Sequence, residues 1–290
     1  MMKKNINKTV IIGSSGFIGT ALCKELKKIN KYFCPLSSND VNLLKLDSID
    51  KLAKIINSND TVVFISAIAP CKNEDSYEKN ITMVKNFILS IEKNRPRHII
   101  YISSDAVYYD SSSKIVEDSK KNPANFHAKM HIDREKLFYN YMKKNSLMLS
   151  ILRPTLVYGP GDTHNGYGPN KFMRSFNSGE DIYLFGNGEE QRDHIYIIDL
   201  VKIISDVIEN QIVGDFILAT GKVTTFFDIA KIVCSIKNDA GIKINFKPRV
   251  GEMPHNGYRA FDITKLYNIF PHLKLTTIEE GIKKSINFMK

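Results

Sequence analysis

A glycine-rich turn directly after a strand-like segment constrains this chain more than any other feature. The apolar segment 9–12 leads into the sequence GSSGFIG, residues 13–19, and a helical pattern follows over residues 21–29. Glycines at positions 13, 16 and 19 permit a tight turn, close backbone approach to a pyrophosphate, and close packing of helix on strand. The helix amino terminus then faces the phosphates. In this context the pattern predicts a dinucleotide-binding turn, the alternative being a glycine turn without a ligand.

Strand-like and helical segments alternate through the first half of the chain. The strand-like runs are residues 9–12, 61–66, 98–103 and 148–152, and helical spacing is found in residues 76–94 and 126–144. Such alternation is typical of βαβ units. The sequence therefore predicts an α/β fold with a Rossmann-type doubly wound parallel sheet.

The character of the sequence changes after Arg153-Pro154. The segment TLVYGPGDTHNGYGPN is rich in Gly, Pro and Asn, which is typical of a loop that begins a new unit. We expect a dinucleotide-binding domain formed by residues 1–155 plus 193–225. A smaller C-terminal substrate-binding α/β domain is expected from residues 156–192 plus 226–290.

Composition excludes several classes of protein. With 290 residues, of which 43% are hydrophobic, the chain can bury a full core. The net charge of +10 comes from lysines scattered along helices, so it predicts a solvated surface and no nucleic-acid partner. A positive field would still attract an anionic substrate. No apolar run is long enough to span a bilayer, so no membrane partner is expected.

The four cysteines lie far apart and form no CxxC pair. Such spacing is typical of reduced thiols, so it predicts a cytoplasmic protein. The amino terminus has a basic start and an apolar stretch, but glycines and serines interrupt that stretch, which favours a first strand over a signal peptide.

Several further motifs follow the glycine turn in a fixed order. They are YISSDAVYYD, ILRPTLVYGPGD, EEQRDHIYIIDL, RVGEMP, FDITK and TTIEEGI. With the GxxGxxG turn, they resemble almost end to end the extended short-chain dehydrogenase/reductases, especially relatives of UDP-glucose 4-epimerase and dTDP-4-dehydrorhamnose reductase. The resemblance implies an NAD(P)-dependent epimerase or reductase acting on a nucleotide-activated sugar, for surface polysaccharide or deoxysugar synthesis. It also implies a homodimer.

The resemblance places the cofactor against the ends of the first strands. The cofactor-binding residues it implies are Gly13, Ser15, Gly16, Phe17, Ile18, Gly19, Ser37, Asn42, Leu43, Ser66, Ala67, Asn80, His131 and Pro154. The second strand ends in Ser37-Ser38 and not in an acid that would bind a ribose 2′-hydroxyl, although Asp40 lies a little beyond. Either NAD or NADP is expected, with a slight preference for NADP.

The resemblance also implies residues for the substrate. Ser104 matches the family's hydrogen-bonding serine, which touches the reacting oxygen. Arg192 and Arg249 match positions that grip the diphosphate, for which a planar guanidinium is suited. Asn170 matches an asparagine near the sugar diphosphate.

The chain departs from the family at the catalytic pair. There a Tyr and a Lys lie four residues apart on one helix, but counting from Pro123 and from Glu135 places His127 and His131 at these positions. A competing register uses Asn125 and Lys129, and it breaks the spacing to both flanking residues. Either way, YxxxK is absent.

Histidine is chemically able to replace the tyrosine. A neutral imidazole has an ordinary pKa near 6.5, so it can accept a hydroxyl proton without an activating cation. We therefore predict Ser104, His127 and His131 as catalytic residues. Two alternatives remain open: a catalytically silent protein that binds NAD(P) or a nucleotide sugar, and a metal site on the two histidines. Because no third ligand is offered nearby, no metal is predicted.

Overall fold

A computed structural model describes residues 7–236 and 241–288. The strands are β1 (Thr9–Ile12), β2 (Phe33–Leu36), β3 (Thr61–Phe64), β4 (His98–Ile102), β5 (Met148–Pro154), β6 (Leu156–Tyr158), β7 (Ile182–Phe185), β8 (Gln191–Tyr196), β9 (Gly214–Leu218), β10 (Val223–Thr225), β11 (Ile244–Lys247) and β12 (Tyr258–Arg259). The helices are α1 (Phe17–Lys28), α2 (Asp47–Ile55), α3 (Glu74–Ser90), α4 (Phe126–Asn145), α5 (Pro169–Asn177), α6 (Ile197–Asn210), α7 (Phe226–Ser235), α8 (Thr264–Ile269) and α9 (Ile278–Phe288). A short 3₁₀ turn covers Asp105–Val107, and a turn with left-handed backbone at His255 and Asn256 covers Pro254–Gly257.

The largest sheet has six strands in the order β2-β1-β3-β4-β5-β9. Strand β1 pairs in parallel with both β2 and β3, and β4 pairs in parallel with β3 and β5. The strand order reverses at β1, and ligands of such sheets bind at the carboxyl ends of the strands beside this reversal. The predicted α/β fold with a Rossmann-type parallel sheet is confirmed.

The central strands are buried because their side chains are apolar on both faces. Val10 and Ile11 in β1 and Val62 and Val63 in β3 are completely buried. A parallel strand covered on both sides has a continuous apolar sequence of this kind. Burial of each such side chain contributes roughly 1.5–3 kcal/mol, so these strands fix the core that supports the loops at their ends.

Aromatic side chains join this sheet to the helices α3 and α4. The ring of Phe64 lies 5.0 Å from that of Phe87 and 5.5 Å from that of Phe138, measured between centroids. Tyr101 in β4 packs 4.9 Å from Phe138. Helix α4 is thereby held against the sheet, and its buried face points toward β3 and β4.

The chain divides into two compact units. The first unit comprises residues 1–109, 120–153 and 201–216, and the second comprises residues 110–119, 154–200 and 217–290. Residues 193–200 and 217–225 thus lie in the second unit, whereas we expected them in the dinucleotide-binding domain. The physical reason is that β8 pairs with β6, β10 and β12 and not with the six-stranded sheet. The assignment of a function to each domain stays a prediction.

The second unit is built around β8. Arg192 in this strand pairs with Thr224 of β10 on one side and with Arg259 of β12 on the other. A separate ribbon is formed by β7 and β11, which pair in parallel. None of the helices within residues 7–236 and 241–288 is both long and apolar enough to cross a membrane.

Candidate active site

The glycine turn after β1 leaves no room for a side chain at Gly13 or at Gly19. Gly13 has a φ of +99°, and a Cβ at this position would lie 2.7 Å from the backbone nitrogen of Ser66. A Cβ on Gly19 would overlap the carbonyl oxygen of Gly13. Helix α1 begins at Phe17, and its N-cap residue Gly16 offers no side-chain cap to the first-turn amides. This cradle of backbone amides fits the pyrophosphate of a dinucleotide.

A carboxylate lies at the end of β2. The backbone amide and the hydroxyl of Ser37 both donate to Asp40 Oδ2, at 2.8 Å and 2.6 Å. These hydrogen bonds lower the pKa of Asp40. The acid that seemed displaced along the sequence is therefore folded back onto the residue that ends the strand.

The turn after β2 is fixed by side-chain contacts. The amide of Leu44 donates to Asn42 Oδ1 at 3.0 Å, and Asn86 Nδ2 donates to the carbonyl of Leu43 at 2.8 Å. The predicted cofactor residues Asn42 and Leu43 are thus held in one defined conformation.

Asn80 braces the loop that follows β3. Its Oδ1 accepts from the amide of Ile68 at 3.0 Å, while its Nδ2 donates to the carbonyls of Ile68 and Ser76, at 3.0 Å and 2.8 Å. The side chain is completely buried. Asn80 therefore shapes the path of Ser66 and Ala67, and its own amide group is occupied by the backbone and by Arg134.

Ser104 begins the 3₁₀ turn after β4. Its Oγ accepts from the amide of Ala106 at 3.1 Å, and the residue is half-buried. Its neighbour Ser103 is buried, and that hydroxyl donates to Glu135 Oε1 at 2.6 Å. Only the second of the two serines, Ser104, is thus partly accessible.

The two histidines face each other on α4. Their rings lie 4.9 Å apart between centroids and are nearly perpendicular, at 84°. His127 is half-buried and His131 is buried. Because they are one turn apart, both side chains project from one face of the helix. Their joint role in catalysis stays a prediction.

The residues of the competing register have other roles. Asn125 is the N-cap of α4, and its Oδ1 accepts from the amide of Ala128 at 2.9 Å. The ammonium group of Lys129 lies 4.2 Å from the centre of the Tyr77 ring. The register with His127 and His131 stays a prediction.

Each imidazole has a partner at Nδ1. The amide of Cys71 donates to His127 Nδ1 at 3.4 Å, and the hydroxyl of Tyr101 lies 2.7 Å from His131 Nδ1. Burial lowers the pKa of His127, and it lowers the pKa of His131 well below its ordinary value, with His127 and Arg134 adding to that effect. Sequence reasoning missed both partners, because no local pattern shows which residues meet the helix.

A buried ionic network lies midway along α4, one turn after His131. Glu135 accepts from Ser103, from Lys121 Nζ at 2.6 Å and from Arg153 Nε and Nη2, both at 2.8 Å. Arg153 also donates to Asp215 Oδ2 at 2.6 Å. Arg153 and Glu135 are almost fully buried, and each of their charges is compensated by opposite charges within the network. The network fixes α4 relative to the strands β4 and β5.

The second unit gathers the predicted diphosphate residues. Arg192 Nη2 donates to Glu190 Oε1 and to the carbonyl of Pro254, the latter at 2.9 Å. Arg249 Nη1 donates to the other oxygen of Glu190 at 3.3 Å. The two guanidinium groups predicted from the sequence thus share one carboxylate.

A third arginine, missed from the sequence, lies in the same unit. Arg259 Nη1 donates to Asp110 Oδ1 at 3.1 Å and lies 3.1 Å from His255 Nδ1. His255 also contacts Asp110. Burial, together with the charges of Arg259 and Arg192, lowers the pKa of His255. Arg259 lies beside Arg192 because strand β12 pairs with strand β8. No single sequence motif predicts this pairing.

Asn170 and Pro154 have supporting positions. Asn170 lies in the first turn of α5, and its Oδ1 accepts from the amide of Gly159 at 2.9 Å. This hydrogen bond holds the loop after β6, and a contact of Asn170 with the substrate stays a prediction. Pro154 ends β5. No group of three or more His, Cys, Asp or Glu side chains that could hold a metal ion occurs in the part of the chain that the structure describes.

A family model matches residues 9–218, which is most of the chain, and its description is NAD dependent epimerase/dehydratase family. The chain belongs to that family. The match confirms the resemblance found in the sequence and the prediction of an NAD(P)-dependent enzyme.

Several known proteins are similar to this chain over almost their full length. The uncharacterized UDP-glucose epimerase YtcB of Bacillus subtilis (strain 168) is 23% identical over 314 aligned positions, covering 97% of this chain and 98% of that protein. The UDP-glucuronic acid 4-epimerase of Bacillus cereus, solved with UDP-glucuronic acid and NAD, is 21% identical, with a TM-score of 0.83 and coverage of 97% and 98%. A GDP-L-fucose synthetase of Naegleria fowleri bound to NADP is 18% identical, with a TM-score of 0.84 and coverage of 100% and 95%.

Proposed function

We propose that this protein is an NAD(P)-dependent epimerase or oxidoreductase whose substrate is a nucleotide-activated sugar. The observation that carries the proposal is the cluster of Arg192, Arg249 and Arg259 in the second unit. Three guanidinium groups share the two carboxylates of Glu190 and Asp110. Three guanidinium groups gathered in one cluster, each a planar fork suited to bidentate contacts, favour a diphosphate.

An aromatic side chain beside this cluster supports a nucleotide. Arg249 Nη2 donates to the carbonyl of Phe185 at 3.3 Å, and the side chain of Phe185 is 42% exposed. An exposed ring near a diphosphate site offers a surface on which a base can stack. The similar epimerase solved with UDP-glucuronic acid binds a ligand of this class.

The first unit carries the residues for the cofactor and the reacting carbon. The glycine turn and the amino terminus of α1 would hold the pyrophosphate of NAD(P), and the nicotinamide supplies hydride transfer when bound. Ser104 and His127 are then the groups that bind the reacting sugar oxygen. His131 binds the nicotinamide ribose or orients His127. The histidines of this pair take positions where the family has Tyr and Lys.

The choice of cofactor depends on Asp40. The slight preference for NADP came from the lack of an acid at the end of β2, but the carboxylate of Asp40 is held there by Ser37. A carboxylate binds a ribose 2′-hydroxyl and repels a 2′-phosphate. We therefore propose NAD as the cofactor. Mass spectrometry of the cofactor released from the purified protein checks this, and a predominance of NADP would contradict it.

The substrate class is tested with a panel of UDP-, dTDP- and GDP-sugars. Purified protein is incubated with each sugar and NAD, and products are separated by chromatography and identified by NMR. We expect turnover of at least one sugar, and we expect His127→Phe to lower it by at least about 100-fold because a group at the reacting oxygen is lost. The matched control is His164→Phe, since His164 is exposed in the loop before α5.

The outcomes separate the two open functions. Equal turnover in His127→Phe and in the unaltered protein would show that His127 does not act at the reacting oxygen. Tight binding of cofactor and nucleotide sugar without turnover across the panel would favour the catalytically silent binding protein. A homodimer, a cytoplasmic location and a role in polysaccharide or deoxysugar synthesis belong to this proposal as well.

A further inference from the structure

Arg134 is a buried cation without a carboxylate partner. It is completely buried on α4, and it forms no salt bridge with any residue in the ranges 7–236 and 241–288. Its Nη2 donates to the carbonyl of Ser66 at 2.6 Å, and its Nη1 lies 3.4 Å from Asn80 Oδ1. Enclosing an uncompensated charge is strongly unfavourable, so a structural role alone gives little reason to keep one here.

The guanidinium of Arg134 lies against the residues that hold the histidines. It stacks on Tyr101, with 5.3 Å between the guanidinium carbon and the ring centre, and on Phe64 at 5.0 Å. The hydroxyl of Tyr101 in turn contacts His131 Nδ1. Arg134 is three residues after His131 and seven after His127, so all three side chains belong to one face of α4.

The partners at Nδ1 decide where each imidazole carries its proton. A backbone amide can only donate, so the Cys71 amide requires a lone pair on Nδ1 of His127, and the proton of the neutral ring is on Nε2. Burial raises the pKa of Tyr101, which therefore stays a phenol with one proton to donate. The side chain of Arg134 donates a hydrogen bond to the phenol oxygen of Tyr101, so the phenol proton is directed to His131 Nδ1, which leaves Nε2–H on His131 too.

We propose that Arg134 is the positioning residue of this pair: by fixing Tyr101 beside His131, it sets both rings as neutral donors whose Nε2–H groups bind oxygen atoms. The inference rests on the proposed function for the identity of those oxygens, which are the reacting sugar oxygen and a ribose hydroxyl. His127 then meets its oxygen as a hydrogen-bond donor. This role is the opposite of the proton acceptor expected from the sequence.

The charges around the pair agree with this assignment. The titratable or charged groups that face the two rings or Tyr101 are Cys71 before α3, Tyr101 in β4, Asp105 in the 3₁₀ turn, and Arg134 and Glu135 in α4. Asp105 favours a proton on His127, but the burial of that ring outweighs it. Arg134 acts against a second positive charge on His131.

Nitrogen-15 NMR of the full chain labelled at histidine tests the proposal without substrate. The chemical shifts of Nδ1 and Nε2 distinguish the two neutral tautomers and the charged ring, and His127→Phe and His131→Phe assign two of the seven histidines. We expect both rings to carry the proton on Nε2 between pH 6 and 8. A proton on Nδ1 of either ring, or a charged ring in that range, would overturn the proposal.

Variants of Arg134 separate positioning from packing. Arg134→Met keeps the length of the side chain and removes the charge, so we expect the titration midpoint of His131 to rise by at least about one pH unit. Arg134→Lys keeps the charge and should leave the titration midpoint of His131 low.

A folded Arg134→Met protein in which the tautomer and the titration midpoint of His131 are unchanged contradicts the proposal. If that variant does not fold, the tautomers of the unaltered protein still decide. Donor tautomers without turnover on any sugar would contradict the proposed function alone.

Discussion

Two histidines outside the candidate site are held where water cannot reach them. His194 packs edge-on against Tyr158 and Phe226, with 6.4 Å and 5.9 Å between ring centroids, and it is 5% exposed. Burial lowers the pKa of His194 to about 3. His98 is completely buried beside Ser150, and burial lowers its pKa to about 4. Both side chains are therefore neutral in the folded protein near pH 7.

These histidines predict a loss of stability in mild acid. The unfolded chain binds a proton at each histidine below a pKa of about 6.5, whereas the folded chain does not until the pH falls to the lowered value. Stability is therefore fully present above pH 6.5 and is lost as the pH falls below it. At pH 4.5 the loss is about 2–3 kcal/mol for each histidine.

His194→Phe checks this prediction. The aromatic surroundings accept a phenyl ring, which has no proton to bind. Urea unfolding at pH 7.5 and at pH 4.5 should show that the variant loses about 2–3 kcal/mol less between the two conditions than the unaltered protein. An equal loss in both proteins would show that His194 is not kept neutral by burial. His164→Phe again serves as the exposed control.

At the scale of elements, the network around Glu135 connects α4 to the strands beside it. Glu135→Gln keeps the shape of the side chain but removes the charge that Arg153 and Lys121 contact. Removing one partner of a buried ion pair costs about 3–5 kcal/mol. We expect a cost at the lower end of this range because Arg153 still forms its ion pair with Asp215. We expect urea unfolding to show a decrease of about 3 kcal/mol in the free energy of unfolding.

The matched control is Glu279→Gln on α9. Glu279 forms an exposed pair with Lys283, one turn along the helix. Pairs of this kind contribute about 0.3–0.5 kcal/mol, so the same substitution should have almost no effect there. Equal effects at the two positions would mean that the network does not hold α4 in place.

Helices and strands could be predicted from the sequence wherever the pattern that indicates them lies within neighbouring residues. The apolar run of β1 and the helical spacing of α4 are properties of neighbouring residues, so their bounds agree with the structure within a few positions. The position of β8 could not be predicted in this way, because the strands with which it pairs lie far along the chain. The same limit applies to the candidate site: His127 and His131 follow from one motif, whereas Cys71 and Arg259 are brought in by tertiary packing alone.

At the scale of the whole molecule, the two predicted ligands depend on different units. The glycine turn belongs to the first unit, and Arg192, Arg249 and Arg259 belong to the second. A ligand that binds only the folded protein raises its stability by about 2.7 kcal/mol at 100 times its Kd. Thermal unfolding with NAD and with UDP therefore reports on each ligand independently.

Two variants should separate the two ligands. Gly19→Ala places a Cβ against the Gly13 carbonyl, so we expect it to abolish the thermal shift with NAD and to leave the shift with UDP. Arg249→Met removes a proposed contact with the diphosphate. We expect this variant to lose the thermal shift with UDP and to keep the shift with NAD. Gly166→Ala is the control for the first variant, since a Cβ there meets no atom within 4 Å. Loss of both shifts in either variant would argue against separate binding residues.

The path of the chain through these units has a consequence for its synthesis. Each unit is assembled from three separate stretches of the chain, and the edge strand β9 of the six-stranded sheet comes from residues 214–218. When a ribosome has released residue 153, five strands of that sheet exist, but β5 still lacks its outer neighbour. The nascent first unit must therefore wait for about sixty more residues, at roughly 5–20 residues per second, with a hydrogen-bonding edge open to other chains.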